Sequence, residues 1–306
     1  MKVDPVLSVT GRPALVVGMG SIGTRHQLVL RELGMEVATV SRRDGEGSYS
    51  SISQAVGELD PAYVVVATET EDHRRSLAEL ANAEFLGHVL VEKPYADQTT
   101  EPLEHEFRAL GVGYNLRFHP SVQAFRLALN GISVLSAQVR VGSYLPDWRP
   151  GQDYQKTSSA GPGGGALLDL SHELDLVRWL LGPGRVIYGK TVRSGTLEIE
   201  NEDVAVGVIE LCEGGPVCVE MNYLDRIPVR TFTVTTTDGS IALDLITGCC
   251  TVNGLMVCDT SVERNHTYRR MHLAMLDDDP DICSESEALE VMDWVDSLRG
   301  LAKGYL

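Results

Sequence analysis

Basic residues are scarce in this sequence of 306 residues. It has 26 lysines and arginines against 43 aspartates and glutamates, a net charge of −17 at pH 7. A general nucleic-acid-binding protein needs a basic face to displace phosphate counterions, and a polybasic membrane anchor needs clustered positive charge. The composition excludes both classes. Apolar runs are short as well, and none approaches the roughly 20 residues of a membrane-spanning helix.

Targeting and metal-binding patterns are also absent. Residues 1–5 lack the basic-then-apolar pattern of a signal peptide. The six cysteines form no CxxC motif and have no Cys/His spacing typical of zinc sites. We therefore expect a cytoplasmic protein without a metal, whose cysteines are reduced and buried.

Short apolar runs alternate with helical stretches over residues 1–118, the pattern of a parallel sheet covered on both faces. We predict a doubly wound, Rossmann-type α/β domain there. Its predicted strands are 14–18, 37–40, 63–67, 89–91 and 112–114, and its predicted helices include 21–33, 72–84 and 98–110.

Strand follows strand over residues 119–306, with turn signals between them and little helix, so we predict an α+β second domain with an antiparallel sheet. The predicted strands are 134–144, 186–193, 204–211, 217–224, 230–236 and 240–244, and the predicted helices are about 168–181 and 285–301.

A GxGxxG motif, Gly18-Met19-Gly20-Ser21-Ile22-Gly23, follows the first predicted strand and opens the first helix. In such a motif the first glycine permits a tight turn and the second lets the backbone approach a pyrophosphate. The third lets the helix pack on the strand. The helix N-terminus then faces the anion, so the motif predicts dinucleotide binding.

The second predicted strand is followed by Ser41, Arg42 and Arg43. NAD-preferring sites usually place an acidic residue here to hold the ribose 2′-hydroxyl, whereas arginine suits a 2′-phosphate. The pattern favours NADP over NAD. Asp44 keeps the alternative open, because a shifted loop would present its carboxylate to the ribose.

Two further groups could carry chemistry. Lys93 follows the fourth predicted strand, at the carboxyl edge where parallel sheets bind ligands, and a lysine there can hold the oxygen of a reacting alcohol or ketone. Asp169 and His172 follow a run of glycines and would share one face of a continuous helix. Histidine suits proton transfer near neutral pH, and a nearby carboxylate can orient it.

Together these motifs resemble the Gfo/Idh/MocA family of nicotinamide-dependent oxidoreductases, named after glucose–fructose oxidoreductase and inositol dehydrogenase. The resemblance runs from about residue 12 to the final helix. It thins after about residue 260. In order, the matching features are Gly18-x-Gly20-x-x-Gly23-x-x-His26, Ala67-Thr68 with His73, Glu92-Lys93-Pro94, Gly113-Tyr114-Asn115-Leu116-Arg117-Phe118-His119-Pro120, and the stretch 163–175.

The resemblance implies a Rossmann domain followed by an α+β domain with a large, mostly antiparallel sheet, whose open face commonly forms a homodimer or homotetramer. It also implies reversible hydride transfer between nicotinamide and a hydroxyl-bearing carbon of a sugar, polyol or sugar derivative. By the same resemblance, Lys93 holds the reacting oxygen and His172 is the general acid/base. Asp169 is its partner or a substrate ligand. Further cofactor contacts are expected from Thr68, His73, Glu92 and Asn115.

Two features leave alternatives open. The family usually has its histidine four residues after the aspartate, whereas here the spacing is three, so either Asp169 or His172 could carry the proton. The polar, aromatic segment 143–154 is similar to a sub-branch associated with sugar or sugar-nucleotide pathways, which makes Tyr154 a candidate substrate ligand. Arg117 is a candidate cation for a substrate phosphate or carboxylate. The alternatives are a nucleotide-sugar oxidoreductase and a catalytically silent dinucleotide-binding regulatory or assembly protein.

Overall fold

The structure, a computed structural model, describes residues 9–41, 47–161 and 163–304, with side chains up to residue 300. Within these ranges no helix combines the length and the apolar character needed to cross a membrane. The strands form two sheets, one of six strands and one of eight. Each sheet is the framework of one compact unit.

The two units are not simple halves of the chain. The first consists of Met1–Phe118 with Glu263–Leu289, and the second of His119–Val262 with Glu290–Leu306. The sequence analysis had assigned all of residues 119–306 to one second domain. The buried side of helix His266–Leu276 explains the difference, because Met271 and Met275 join the apolar core beneath the first sheet.

The first sheet is the predicted parallel one. Its first five strands stand in the order β2–β1–β3–β4–β5, all parallel. The order reverses between β1 and β3, which is the switch point where doubly wound sheets bind ligands. The strands are β1 Pro13–Val17, β2 Glu36–Val40, β3 Tyr63–Val66, β4 His88–Val91 and β5 Ala109–Val112. The main helices between them are Ser21–Glu32, Ile52–Leu59 and His73–Asn82.

Burial explains why these strands read as continuous apolar runs. Every residue of β3 and β4 is buried, as expected of central strands covered on both faces. The helix Ser21–Glu32 ends just before Gly34, whose φ of 83° lies in the left-handed region that glycine adopts without strain. The doubly wound fold predicted from the sequence is confirmed.

The predicted helix over 98–110 is wrong. Residues 98–106 have no helix, and the strand β5 begins at Ala109. Tertiary contacts decide this segment, because the backbone N–H of Leu103 donates to Glu285 and that of Arg108 donates to the carbonyl of Leu86. These contacts hold the chain in an irregular path toward the edge of the sheet.

The second sheet is large and mostly antiparallel, as the resemblance implied. Its order is β13–β12–β11–β10–β6–β9–β8–β7, and only the β6–β9 pair is parallel. Buried and exposed side chains alternate along β8, which is typical of a sheet covered on one face. The strands are β6 Val134–Gly142, β7 Gly184–Val192, β8 Val204–Leu211, β9 Pro216–Asn222, β10 Val229–Thr236, β11 Gly239–Asp244, β12 Cys249–Val252 and β13 Leu255–Asp259. A two-residue strand, β14 (Cys283–Ser284), pairs antiparallel with β5 at the edge of the first sheet.

The helical segment of the second unit that contains Asp169 and His172 differs from the prediction. The expected helix 168–181 is two helices, Ala166–Asp169 and His172–Leu181. Asp169 and His172 therefore do not share one face of a continuous helix. The other helices beyond β5 are Pro120–Leu129, His266–Leu276 and Glu285–Gly304.

All six cysteines are free thiols, but the expectation that they are buried is wrong for two of them. Cys250 and Cys283 are buried, whereas Cys212 and Cys218 are exposed. Cys218 occupies an outward-facing position of β9, and Cys212 lies just beyond the end of β8.

Candidate active site

The glycine loop connects β1 to helix Ser21–Glu32, and each glycine meets a different surrounding. A Cβ on Gly18 would lie 2.5 Å from the carbonyl oxygen of Ala67, and one on Gly23 would lie 1.8 Å from that of Gly18. Both positions are filled by the protein's own backbone. A Cβ on Gly20 would meet no atom of the described residues within 4 Å. The backbone at Gly20 is thus open to a ligand.

Thr68 lies at the carboxyl end of β3, beside the glycine loop at the switch point of the sheet. Its Oγ1 is buried and has no hydrogen-bond partner among the described residues. Helix Ser21–Glu32 has no acidic residue in its first turn, so its N-terminus, at Ser21 and Ile22, is suited to an anion. Three features therefore fit a bound dinucleotide. They are an anion site at the helix N-terminus, an open backbone at Gly20 and a Thr68 hydroxyl that is available to form a hydrogen bond.

The residues expected to select NADP are only partly described. Ser41 directly follows β2, but Arg42, Arg43 and Asp44 lie outside the described residues. Their role in cofactor choice stays a prediction.

His73 ties together the ends of two strands. One ring nitrogen lies 3.0 Å from the carbonyl oxygen of Pro94 and the other 3.1 Å from that of Thr68. Burial lowers the pKa of His73, although both carbonyls favour the charged ring. Since both nitrogens contact protein carbonyls, His73 supports the loops after β3 and β4 rather than offering a donor to the cofactor.

Glu92 and Lys93 follow β4 directly. Glu92 Oε1 lies 2.7 Å from Nε2 of His26, and Oε2 accepts the backbone N–H of Lys93 at 3.1 Å. Burial raises the pKa of Glu92, but the hydrogen bond with His26 and the charge of Lys93 bring it below its ordinary value. Both oxygens of this carboxylate are engaged within the protein, and they fix the backbone from which the Lys93 side chain extends.

Asn115 and Arg117 follow β5, and both are buried. Asn115 Nδ2 donates to Oγ1 of Thr267 at 2.7 Å. Arg117 has a side-chain exposure of 0% and forms an ion pair with Glu287 at 3.2 Å. Its guanidinium is enclosed in the protein, which argues against the expected contact with substrate, and that role stays a prediction.

Within the second unit, Oδ2 of Asp169 accepts the hydroxyl hydrogen of Tyr223 at 2.7 Å. Burial, followed by the charge of Asp169, raises the pKa of Tyr223 well above its ordinary value, so the hydroxyl remains a donor. Trp148 packs edge-on against Tyr223, with ring centroids 5.3 Å apart. The sequence analysis missed Tyr223, which lies 54 residues from Asp169 in the chain.

His172 is the first residue of helix His172–Leu181 and is half-buried. Tyr154 belongs to a short 3₁₀ helix, and its hydroxyl accepts the backbone N–H of Glu198 at 3.2 Å. Tyr154 also lines a small pocket together with Trp148 and Arg149. The polar, aromatic segment singled out from the sequence thus forms one wall of a concave surface.

Residues 133–242 match the family model described as the GFO/IDH/MocA C-terminal domain. No curated protein sequence matches the chain. The part of the chain that the motifs predicted to be an α+β domain thus contains a segment matching the C-terminal domain model of the family that those motifs resemble.

Solved structures share the fold over nearly the whole chain. GenD2 from gentamicin A biosynthesis, in complex with NAD, is 22% identical, with a TM-score of 0.78 and coverage of 97% of this chain and 96% of that one. The WlbA dehydrogenase from Bordetella pertussis, in complex with NADH and UDP-GlcNAcA, is 19% identical, with a TM-score of 0.74 and coverage of 97% and 98%. Levoglucosan dehydrogenase, in complex with NADH and levoglucosan, is 15% identical, with a TM-score of 0.80 and coverage of 96% and 98%.

Proposed function

We propose that this protein is an NAD(P)-dependent oxidoreductase. It transfers a hydride between nicotinamide and a hydroxyl-bearing carbon of a sugar, polyol or sugar derivative. The observation that carries the proposal is the glycine loop, in which Gly20 alone of the three motif glycines faces open space. The buried hydroxyl of Thr68, whose backbone packs on Gly18 of the same loop, has no hydrogen-bond partner among the described residues. The substrate class is supported by the sugar ligands of the structural neighbours and by the matching C-terminal domain.

Oxidation of an alcohol removes a hydride from the carbon and a proton from the oxygen. When bound, the nicotinamide group supplies the hydride acceptor. The protein must then hold the oxygen and accept the proton. We assign the first task to the ammonium group of Lys93. We assign the second to His172, because an imidazole suits proton transfer near neutral pH. Tyr223 donates to Asp169 and holds that carboxylate in place. Asp169 then orients the substrate or the imidazole.

Cofactor choice is tested by titrating the purified protein with NADH and with NADPH while following nucleotide fluorescence. The neighbouring structures hold NAD or NADH, whereas Ser41, Arg42 and Arg43 favour a 2′-phosphate. We expect tighter binding of NADPH, and loss of that preference in a double variant, Arg42→Ala with Arg43→Ala. Tighter binding of NADH would overturn the role of the arginines and direct attention to Ser41 or Asp44.

Turnover is tested with Lys93→Ala across a panel of sugars and polyols. We expect nucleotide affinity to stay within about twofold of wild type while kcat falls by about a thousandfold, since the variant loses the group that holds the reacting oxygen. Lys190→Ala, on β7, is the matched control. If wild type binds nucleotide but turns over no member of the panel, the silent regulatory or assembly role gains support.

A nucleotide-sugar oxidoreductase is the alternative within the same reaction class. The side chains of Trp148, Arg149 and Tyr154 support it, because an aromatic face and a guanidinium on one surface suit a base or sugar ring bearing a phosphate. Comparing kcat/KM for a free sugar and its uridine diphosphate derivative decides between them. An Arg149→Ala variant should lose activity selectively toward the diphosphate.

We also propose that the protein works in the cytoplasm as a homodimer or homotetramer assembled through the second sheet. Val192 and Val206, on neighbouring strands β7 and β8, are each 39% exposed. Light scattering after size exclusion should give a mass of two or four chains. A Val206→Glu variant should shift it toward one.

A further inference from the structure

Four buried side chains of the first unit form an unbranched hydrogen-bonded series. The hydroxyl of Tyr63 lies 2.8 Å from Nδ1 of His272, and Nε2 of His272 lies 3.0 Å from Nδ1 of His26. Nε2 of His26 lies 2.7 Å from Oε1 of Glu92. Tyr63, His26 and His272 are fully buried, and Glu92 is 7% exposed. We call this series the Tyr63–Glu92 relay.

The chemistry of the end groups assigns every hydrogen in the relay. A carboxylate only accepts, so His26 carries its hydrogen on Nε2. With a neutral ring, Nδ1 of His26 must accept from Nε2 of His272, whose own Nδ1 then accepts from the hydroxyl of Tyr63. Burial lowers the pKa of His272 well below its ordinary value and raises that of Tyr63, which agrees with a neutral ring and a retained phenolic hydrogen.

The opposite arrangement of hydrogens, in which His26 donates to His272, leaves one buried hydrogen-bond donor of the relay without an acceptor. If His26 were charged, its Nδ1–H would point at His272 Nε2, and His272 would have to donate from Nδ1 to the Tyr63 oxygen. The buried hydroxyl hydrogen of Tyr63 would then lose its acceptor in the relay, at a cost of about 1–3 kcal/mol. Tyr63 therefore favours one direction for the whole relay.

Other titratable and charged groups surround the Tyr63–Glu92 relay without forming part of its hydrogen-bonded series. The ring of Tyr268 packs edge-on against His26 with centroids 5.5 Å apart, and the guanidinium of Arg25 lies 5.2 Å from the Tyr268 centroid. His73 and Lys93 interact with the charge of Glu92. Gly113 packs closely on Glu92, because a Cβ there would lie 3.1 Å from Oε1.

We propose that Tyr63 and His272 are positioning residues for the Glu92–Lys93 turn. They lock His26 in the tautomer that donates to Glu92, and Glu92 in turn holds the backbone of Lys93. The catalytic consequence rests on the proposed function, in which Lys93 holds the reacting oxygen. Neither Tyr63 nor His272 belongs to the motifs recognised in the sequence, and neither touches substrate or cofactor in this assignment.

The relay itself is tested without any substrate, by long-range ¹H–¹⁵N NMR of protein labelled in the histidine rings. We expect His26 and His272 both to show the Nε2–H pattern at pH 7.5. Tyr63→Phe removes the first donor and should change the pattern of His272 or mix its two tautomers. Tyr268→Phe removes a hydroxyl from a ring packed on His26 but outside the relay, and should leave both patterns as they are. An Nδ1–H pattern for either histidine in wild type would overturn the assignment.

The positioning role is tested by steady-state kinetics at pH 7.5. His272→Phe removes the donor to His26, whereas the amide of His272→Gln can supply one. We expect kcat of His272→Phe to fall by about tenfold, because the Glu92–Lys93 turn loses its support and Lys93 holds the reacting oxygen less well. His272→Gln should restore most of kcat, and KM should change less than kcat.

Tyr63→Phe gives the same readout if His272→Phe does not fold. A wild-type kcat in these variants, with folding intact, would show that the relay is only structural. If wild type has no turnover but shows the expected histidine patterns, the relay stands as a fixed structural feature, and it is the proposed function that fails.

Discussion

Tyr223 donates its hydroxyl hydrogen to Oδ2 of Asp169 at 2.7 Å. Tyr223 directly follows strand β9, and Asp169 is the last residue of helix Ala166–Asp169. This bond fixes the carboxylate three residues before His172, where the second helix begins. Asp169 and His172 were expected on one face of a single helix. Instead they lie on two helices, and Tyr223 orients the carboxylate of Asp169.

Removing that hydroxyl should slow the reaction without unfolding the protein. We expect Tyr223→Phe to lower kcat by about tenfold, since a hydrogen bond to a charged group contributes about 1.5–3 kcal/mol and only part of it concerns the transition state. Steady-state kinetics on an identified sugar substrate measure the effect. Tyr188→Phe, on the exposed part of β7, is the control and should keep wild-type rates. Equal kcat in both variants would remove Asp169 from the mechanism.

The two halves of the glycine loop should fail in different ways. Gly20→Ala meets open space, so we expect an unchanged melting temperature but a nucleotide Kd raised by about tenfold or more, because the methyl group occupies the path of the ligand. Gly23→Ala places a methyl 1.8 Å from a carbonyl oxygen and should lower the melting temperature as well. Gly57→Ala, in open space on another helix, is the control for both measurements. Unaltered affinity in Gly20→Ala would contradict cofactor binding at this loop.

Arg117 should prove to be a stability residue. Arg117→Met leaves Glu287 without its buried partner, and we expect a loss of about 3 kcal/mol in the free energy of unfolding, the low end for a broken buried pair because Glu287 is 21% exposed. Arg185→Met, which breaks an exposed pair with Glu210, should cost less than about 1 kcal/mol. Urea titrations measure both. A raised KM with unchanged stability in Arg117→Met would instead restore the substrate-binding role.

Local signals in the sequence were sufficient for the elements that carry the cofactor loop. Continuous apolar runs located β1, β3 and β4, and the glycine spacing located the turn into helix Ser21–Glu32. The hairpin of β12 and β13 was missed, although its turn, Asn253-Gly254, has positive φ at both residues and is a strong hairpin signal.

Other features depend on contacts that sequence spacing does not reveal. The path of residues 98–106 is set partly by Glu285, 182 residues beyond Leu103. The Tyr63–Glu92 relay joins Tyr63 to His272 across 209 residues, and helix His266–Leu276 returns to the first unit to make that contact. Periodicity predicts which face of a helix is buried, but not which distant side chain meets it.

A neutral buried histidine makes stability depend on pH in a defined direction. The folded-state pKa of His272 lies well below the value near 6.5 that it has when unfolded, mainly because of burial. Below about pH 6.5 the unfolded state therefore binds a proton that the folded state does not. The stability from this group is complete above that pH and is lost as the pH falls, by up to about 1.4 kcal/mol per pH unit.

Comparing wild type with His272→Gln isolates this effect. We expect the free energy of unfolding of wild type to fall more steeply than that of the variant between about pH 6.5 and 5, a window above the ordinary pKa of Glu92. The lowered pKa of His73 acts with the same sign in both proteins and cancels in the difference. Urea titrations at intervals of half a pH unit measure how the free energy of unfolding of each protein changes with pH. The two slopes should coincide between about pH 7.5 and 8.5, where His272 is neutral in both the folded and the unfolded wild type. Parallel curves at acidic pH would mean that His272 is charged in the folded protein, so that its Nδ1 donates to the Tyr63 oxygen and the first bond of the Tyr63–Glu92 relay is reversed.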